Sequence, residues 1–234
     1  NKINPPAKIA KIQLKDQVMF ATSRSQKIVV SSSKVKKELR EHFGYNDAVV
    51  IPFGVPFDMI PDESVKLARR SVSEGESRRP YFLFVGMNHR IKNIDFLVKA
   101  FTIFKEKSEY KDFELLLVGD HKKFANDNLG IRSVTANRSE QQNLYKNAIG
   151  YMTASLYESF NLPVLEALAQ NCNVVGKSSA IIPELLPFVS VADEVEEFVS
   201  VMKGIANGKK NIDTKDIKTR FSWEKYVNKL TSLY

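Results

Sequence analysis

The sequence has few of the residues on which several protein classes depend. It contains one cysteine, Cys172, in 234 residues, which excludes an internal disulfide framework and a cysteine-based zinc site. Its three histidines are scattered and lack the spacing of metal ligands. No apolar run approaches the ~18 residues that a membrane-spanning helix needs. The composition that remains, 43% apolar and 26% charged, is that of an ordinary globular protein.

Several nucleotide and catalytic motifs are also missing. The sequence has no Gly-x-Gly-x-x-Gly, no Gly-x-x-x-x-Gly-Lys-Ser/Thr, no Gly-x-Ser-x-Gly and no Asp-x-Asp. Their absence counts against dinucleotide dehydrogenases, P-loop ATPases, α/β-hydrolases and sugar transferases that hold a metal through Asp-x-Asp. A metal site is therefore not expected.

The positive charge is concentrated near the start of the chain. The net charge is +8, and residues 1–50 hold ten Lys or Arg against four acidic residues. A nucleic-acid partner is not expected, because these cations fall in predicted helices without interleaved aromatic residues or a known reading motif. An anionic membrane surface or acidic partner remains compatible with them. The chain begins with Asn1 rather than Met, so we expect translation to start further upstream.

Apolar runs and helical periodicities alternate along the chain. Continuous apolar strands that alternate with helices favour an α/β fold with a parallel sheet covered by helices on both faces. In such sheets ligands bind beyond the carboxyl ends of the strands. The predicted strands are 27–31, 48–51, 81–85, 113–118, 130–135, 150–153, 174–175 and 188–191. The predicted helices are 7–22, 34–43, 93–107, 138–147, 162–170, 192–207 and 222–233.

Two acidic residues follow the predicted strand at 150–153. In residues 155–167, which we name the signature segment, Glu158 lies in a loop and Glu166 lies inside the next helix. Asn161 is predicted to cap this helix, and Pro163 fits its first turn. The free N–H groups at such a helix start suit an anion such as a diphosphate. The alternative is a capped surface helix with two solvated acids.

A basic loop follows the predicted strand at 81–85. Residues 86–93 read Gly-Met-Asn-His-Arg-Ile-Lys-Asn. We name them the β3 loop, because 81–85 is the third predicted strand, β3. Arg90 and Lys92 offer charge-assisted hydrogen bonds to phosphate oxygens, and the alternative is a solvated basic loop. If the two strands are neighbours, the β3 loop and the signature segment would hold a diphosphate between cations and a helix N-terminus.

In order along the chain, these segments resemble the C-terminal, donor-binding half of a retaining glycosyltransferase of the GT-B fold, in family 4. The signature segment resembles the family's S-x-x-E-G-F-G-L-P-x-x-E-A pattern and is the most specific match. The other similar segments are 28–39, 51–55, 84–93, 115–120, 144–148, 183–184 and 221–224.

The resemblance implies a fold and a division of the chain. The fold would be a Rossmann-like parallel sheet with helices on both faces, the C-terminal half of a GT-B fold. Residues 1–52 would be the trailing elements of a mostly missing N-terminal acceptor domain. Residues 53–220 would be the nucleotide-sugar donor domain, and 221–234 a C-terminal crossover helix.

The resemblance also implies roles for individual residues. Glu158 and Lys92 would be catalytic: Lys92, with Arg90, would hold the donor diphosphate, and Glu158 would face the donor sugar. Glu166 would bind the ribose hydroxyls, and 134–138 would face the nucleobase. The donor-binding residues implied are Gly86, Met87, Arg90, Lys92, Val134, Thr135, Asn137, Arg138, Glu158, Ser159, Phe160, Asn161, Leu162 and Glu166.

The implied reaction transfers a hexose from a GDP- or UDP-sugar to a glycan or glycolipid with retention at the anomeric carbon. It would be a mannosyl or glucosyl transfer without metal or other cofactor, in the cytoplasm or at the inner face of a membrane. Expected partners are the nucleotide sugar, the acceptor, the missing N-terminal domain and a peripheral membrane contact.

Three residues depart from the family pattern. Ser159 and Asn161 replace the two glycines of the signature, and Met87 stands where many members have Arg. Ser159 and Asn161 each add a side chain where the backbone must approach the donor, and Met87 leaves the diphosphate clamp without that Arg. The alternative function is therefore a degenerate nucleotide-sugar-binding or regulatory module without turnover.

Overall fold

The computed structural model describes residues 16–56, 79–208 and 216–234. Two short strands, β1 (Val29–Val30) and β2 (Val49–Val50), pair in parallel as a small sheet. The main sheet comprises β3 (Tyr81–Val85), β4 (Glu114–Val118), β5 (Ile131–Val134), β6 (Gly150–Thr153), β7 (Asn173–Gly176) and β8 (Ser190–Val191). All its pairings are parallel, in the spatial order β5-β4-β3-β6-β7-β8. The predicted parallel sheet is confirmed.

The helices fall where the periodicity predicts them, except the short α6 (Ile217–Arg220), which the sequence pattern does not predict. They are α1 (Ser33–Phe43), α2 (Ile94–Phe104), α3 (Arg138–Asn147), α4 (Leu162–Ala169), α5 (Val195–Ala206), α6 (Ile217–Arg220) and α7 (Trp223–Thr231). Residues 16–24 are also helical, and the first part of the helix predicted over 7–22 lies outside the described residues. None of the described helices is long and apolar enough to cross a membrane.

The main sheet is buried on both faces. Alternate strand residues such as Leu83 and Val174 pack with α4 in one core cluster. Their neighbours Phe82 and Val175 pack with α2 and α5 in the other. Because side chains alternate between faces along a strand, a strand with two covered faces needs apolar residues at every position. This explains the continuous apolar runs in the sequence.

The last helix leaves the main sheet and reaches the small one. The Phe53 ring packs near Trp223 and Tyr226 of α7, and Lys229 Nζ donates to the Val50 carbonyl at 2.8 Å. A Cβ at Gly54 would lie 2.4 Å from the Trp223 amide nitrogen, so only glycine allows this close approach. The chain before β3 and the end of the chain are therefore packed together.

Candidate functional site

The β3 loop and the signature segment meet at the carboxyl edge of the sheet. Strands β3 and β6 are adjacent, with Leu83 paired to Tyr151, so the loops that follow them emerge side by side. The Leu156 amide donates to the Ile91 carbonyl at 2.7 Å and joins the two loops directly. The sheet order thus brings together two segments that are more than sixty residues apart in sequence.

An ion pair links the two predicted catalytic residues. Lys92 Nζ donates to Glu158 Oε1 at 2.6 Å, and the two side chains are 19% and 14% exposed. Both side chains are largely shielded from solvent. A short charge-assisted hydrogen bond of this kind is stronger than a hydrogen bond between neutral groups. Arg90 and Met87, also predicted to bind the donor, are exposed at the rim of the same loop. Of the cations in this loop, Lys92 is the one that faces the signature segment.

The second signature carboxylate lies in a more enclosed setting. Glu166 is 4% exposed, and its Oε1 accepts from Arg138 Nη2 at 2.6 Å. Its Oε2 accepts from the Tyr145 hydroxyl at 3.0 Å. Burial, followed by the neighbouring Tyr151 and Glu166 groups, raises the pKa of Tyr145 well above its usual value, so this hydroxyl stays a donor. Glu166 is held by two residues of α3.

The residues predicted to face the nucleobase lie around the start of α3. Asn137 and Glu140 form a capping box: the Asn137 side chain accepts from the Glu140 amide at 3.0 Å, and the Glu140 carboxylate accepts from the Asn137 amide at 2.7 Å. Val134 ends β5, and Thr135 is exposed beyond it. The Arg138 side chain extends toward α4, where its guanidinium forms an ion pair with Glu166. The predicted base and ribose regions are therefore contiguous.

Asn161 is the N-cap residue of α4, as predicted, but its side chain does not supply the capping hydrogen bond. Asn161 has a left-handed backbone with φ of 68°. Its Nδ2 instead donates to the Ala180 carbonyl at 2.9 Å, and the residue is 5% exposed. Asparagine tolerates this conformation better than most residues, which explains how it can stand where the family pattern has glycine. Its side chain points away from the helix N-terminus.

The other signature residues divide between surface and core. Phe160 is buried in the core cluster beside α4, and Ser159 and Leu162 are exposed. Pro163 stands in the first turn of α4, as predicted. The amide groups at the start of α4 thus remain the feature of this segment that suits an anion.

Sequence reasoning missed three residues that support the site. His121 is fully buried, and its Nε2 lies 2.9 Å from the Gly86 carbonyl, where it holds the start of the β3 loop. The Tyr151 hydroxyl donates to the Val85 carbonyl at 3.4 Å. Tyr145 is the third. Buried Tyr and His need polar partners. A tyrosine within an apolar run near the carboxyl edge of the sheet could therefore have indicated a supporting hydrogen bond.

The described residues contain no group of three or more His, Cys, Asp or Glu side chains arranged to hold a metal ion. Independence from metal stays a prediction.

Residues 79–206 match the model of the family described as glycosyl transferases group 1. This match covers more than half of the sequence, and the chain belongs to that family. No match is found among the curated proteins.

Solved glycosyltransferase structures share the fold. The pneumococcal O-GlcNAc transferase GtfA, in complex with UDP and GlcNAc, has a TM-score of 0.68 and 15% identity over 93% of this chain and 46% of that one. A glycosyltransferase from Rickettsia africae ESF-5 has a TM-score of 0.71 and 22% identity over 89% and 62%. Sucrose-phosphate synthase from Thermosynechococcus elongatus has a TM-score of 0.72 and 19% identity over 94% of this chain and 60% of that one. The predicted GT-B fold class is confirmed, and the chain spans about half to three-fifths of these proteins.

Proposed function

We propose that this chain is the donor-binding part of a family 4 glycosyltransferase. It would transfer a hexose from a nucleotide-diphosphate sugar to a glycan or glycolipid, with retention at the anomeric carbon. The observation that carries the proposal is the 2.6 Å pair between Lys92 and Glu158 beside the N-terminus of α4. The pair and the start of α4 together bring a cation, a carboxylate and amide groups to one edge of a parallel sheet, where ligands of such folds bind.

Each group has a distinct task in this proposal. Lys92 exchanges its bond to Glu158 for the donor diphosphate, and with the α4 amide groups it stabilises the charge that develops on the leaving nucleoside diphosphate. Glu158 then orients the sugar and supports positive charge at its ring. Glu166 accepts hydrogen bonds from the ribose hydroxyls. An ionised carboxylate oxygen has about two lone-pair sites, so the bonds from Arg138 and Tyr145 orient Glu166 and still leave acceptor capacity.

The donor, acceptor and surroundings follow from the same proposal. The donor would be a GDP- or UDP-hexose and the transfer mannosyl or glucosyl, without metal or other cofactor. One similar structure contains UDP and GlcNAc, and another, WaaG, acts in lipopolysaccharide biosynthesis; these facts support a nucleotide-sugar donor and a glycolipid acceptor. Residues 1–52 would belong to an N-terminal acceptor domain, 53–220 to the donor domain and 221–234 to the crossover. The enzyme would work in the cytoplasm or at the inner face of a membrane.

Calorimetric titration of the chain with UDP, GDP and their hexose conjugates tests this proposal. We expect at least one nucleotide to bind. Lys92→Ala should weaken that binding about tenfold to a hundredfold, since hydrogen bonds to charged groups contribute about 1.5–3 kcal/mol. Lys99→Ala, which removes an exposed lysine of α2 outside both loops, is the matched control. Absence of binding by every nucleotide, or equal effects of the two variants, would contradict the proposal.

A second candidate is a nucleotide-sugar-binding or regulatory module without turnover. The exposed Ser159 and Met87 favour it, because both differ from the family pattern at the edge of the site. Sugar transfer by the full-length protein that is abolished by Glu158→Ala would reject this candidate. Binding without transfer would support it.

A further inference from the structure

We infer that Ser32, in the segment before the main sheet, is a positioning residue for the loop that carries Glu158. Its hydroxyl holds the carbonyl of Ser159, the next residue after Glu158. The effect on sugar transfer rests on the proposed function, but the effect on the loop itself does not.

The bond from Ser32 joins residues that are 127 positions apart. Ser32 Oγ donates to the Ser159 carbonyl at 2.6 Å, and Ser32 is fully buried. The same oxygen accepts from the Val35 amide at 3.4 Å as the N-cap of α1. A serine hydroxyl has one proton and two acceptor lone pairs, so Ser32 can cap the helix and hold Ser159 simultaneously.

Neighbouring contacts keep α1 docked beside this bond. The Ser33 amide donates to Glu184 Oε1 at 2.6 Å. Lys34 Nζ donates to the Ser179 carbonyl at 3.2 Å and also lies 4.4 Å from the centre of the Tyr157 ring. The first turn of α1 therefore contacts both the signature segment and the turn near Ser179.

The Tyr157 hydroxyl extends the docking by one more turn of the helix. It donates to Glu38 Oε2 at 2.7 Å. Tyr157 immediately precedes Glu158, and Ser159 immediately follows it. The catalytic candidate is thus flanked by Tyr157, which is bonded to α1, and Ser159, which is bonded to the N-cap residue of α1.

This flanking matters because the loop has no regular hydrogen-bond ladder of its own. Residues 154–161 are neither helix nor strand, and Leu156, Tyr157 and Ser159 are exposed. An irregular exposed segment opens more easily than a packed one unless it is held from outside. Small displacements of a reacting group cost large factors in rate. The Ser32 bond therefore sets the position of Glu158 toward Lys92.

Hydrogen exchange on the whole chain tests the inference without any ligand. Ser32→Gly removes the hydroxyl, although glycine is nearly as good an N-cap as serine. We expect the Leu156 amide, which donates to the Ile91 carbonyl, to exchange about threefold to tenfold faster, the range for loss of one net hydrogen bond, with β3 and β4 unchanged. Ser33→Ala, which leaves the bond from its backbone amide to Glu184 intact, should behave like the wild type. Ser32→Thr, which retains a hydroxyl, should restore protection.

Unchanged exchange of the Leu156 amide in the irregular loop, or an equal increase throughout the chain, would overturn the inference. A second measurement uses the full-length protein: Ser32→Gly should lower kcat for sugar transfer more than it raises KM for the donor, because Lys92 and Glu166, the proposed diphosphate and ribose contacts, lie outside this loop. A kcat equal to that of Ser33→Ala would also overturn it. If the wild type binds no nucleotide, the proposed function fails while the exchange result still decides the role of Ser32.

Discussion

The two glutamates of the signature segment differ in how they are held. Both accept a hydrogen bond from a cation at 2.6 Å. Glu166 lies on α4, almost fully buried, with one oxygen bonded to Arg138 and the other to Tyr145. Glu158 lies in an irregular loop and meets Lys92 through Oε1. One carboxylate is part of the packed framework, and the other stands at its edge.

This difference separates a prearranged group from an adjustable one. The partners of Glu166 both come from α3, which packs on α4, so its position is set before any ligand arrives. Glu158 depends on Lys92 and on the docking of α1 through Ser32. A ligand anion can compete for Lys92 at low cost, because both partners lie partly in solvent. Replacing Glu166 should therefore affect folding, and replacing Glu158 should affect chemistry.

The largest expected effect is that of Glu166→Ala on stability. The substitution leaves the buried Tyr145 hydroxyl without its acceptor and Arg138 without its carboxylate. We expect the free energy of unfolding to fall by about 3 kcal/mol, near the lower end for breaking a buried pair since Arg138 is partly exposed. Urea unfolding followed by circular dichroism measures it. A loss no larger than that of Glu158→Ala would remove the distinction between the two glutamates.

Tyr145→Phe should have a smaller effect of the same kind. It deletes only the hydroxyl that donates to Glu166 Oε2 and leaves the Arg138 bond in place. We expect a loss of about 1.5 kcal/mol, the value for a hydrogen bond to a charged group. The same urea unfolding measures it, with Tyr151→Phe as control, because the Tyr151 hydroxyl donates to a neutral carbonyl at a longer 3.4 Å. Equal losses would argue against a special role for the charged acceptor.

Glu158→Gln should change stability by less than about 1 kcal/mol, because the amide oxygen of glutamine can still accept the hydrogen bond from Lys92. Its effect should instead appear in sugar transfer by the full-length protein, as a fall in kcat at unchanged binding of the bare nucleotide. Calorimetry measures the binding of the bare nucleotide, and steady-state rates measure kcat for sugar transfer. A large loss of stability would mean that Glu158 is as much a part of the framework as Glu166.

The smallest effect concerns the docking of α1 and is seen only at high pH. Partial burial of the otherwise exposed Tyr157, reinforced by the bond to Glu38, raises its pKa from 10.0 to about 12. The contact is therefore fully stabilising below pH 10, where unfolded tyrosine is also protonated, and it is lost as the pH rises through about 12. Subtracting the ultraviolet pH titration of Tyr157→Phe from that of the wild type gives the midpoint of Tyr157 ionisation. Glu38→Gln should lower it. A wild-type midpoint near 10 would show that Tyr157 is not docked.

Much of the fold could be predicted because its signals are local. The strand Tyr81–Val85 and the helix Arg138–Asn147 have the predicted bounds, since apolar runs and capping residues act within a few positions. Helix α1 also ends at Gly44, whose φ of 69° needs glycine or a similar residue. These features depend on neighbours in sequence.

The partners of the site residues could not be predicted in the same way. Arg138 is 28 positions from Glu166 and Lys92 is 66 from Glu158, and no periodicity connects them. The residue type of Asn161 predicts its N-cap position, but not its left-handed backbone or the hydrogen bond from its side chain to the Ala180 carbonyl. Side-chain direction depends on a backbone conformation that residue type alone does not determine.

The sequence by itself determined the alternation of strands and helices, the burial of the sheet on both faces and the order of the motifs. These follow from hydrophobic periodicity, which is a property of short stretches of chain. Only the tertiary structure decided which charges meet. The adjacency of β3 and β6 brings Lys92 to Glu158, and the packing of α3 on α4 brings Arg138 and Tyr145 to Glu166. Hydrogen bonds act over about 3 Å, so they form only after the packing of distant elements has brought their groups together.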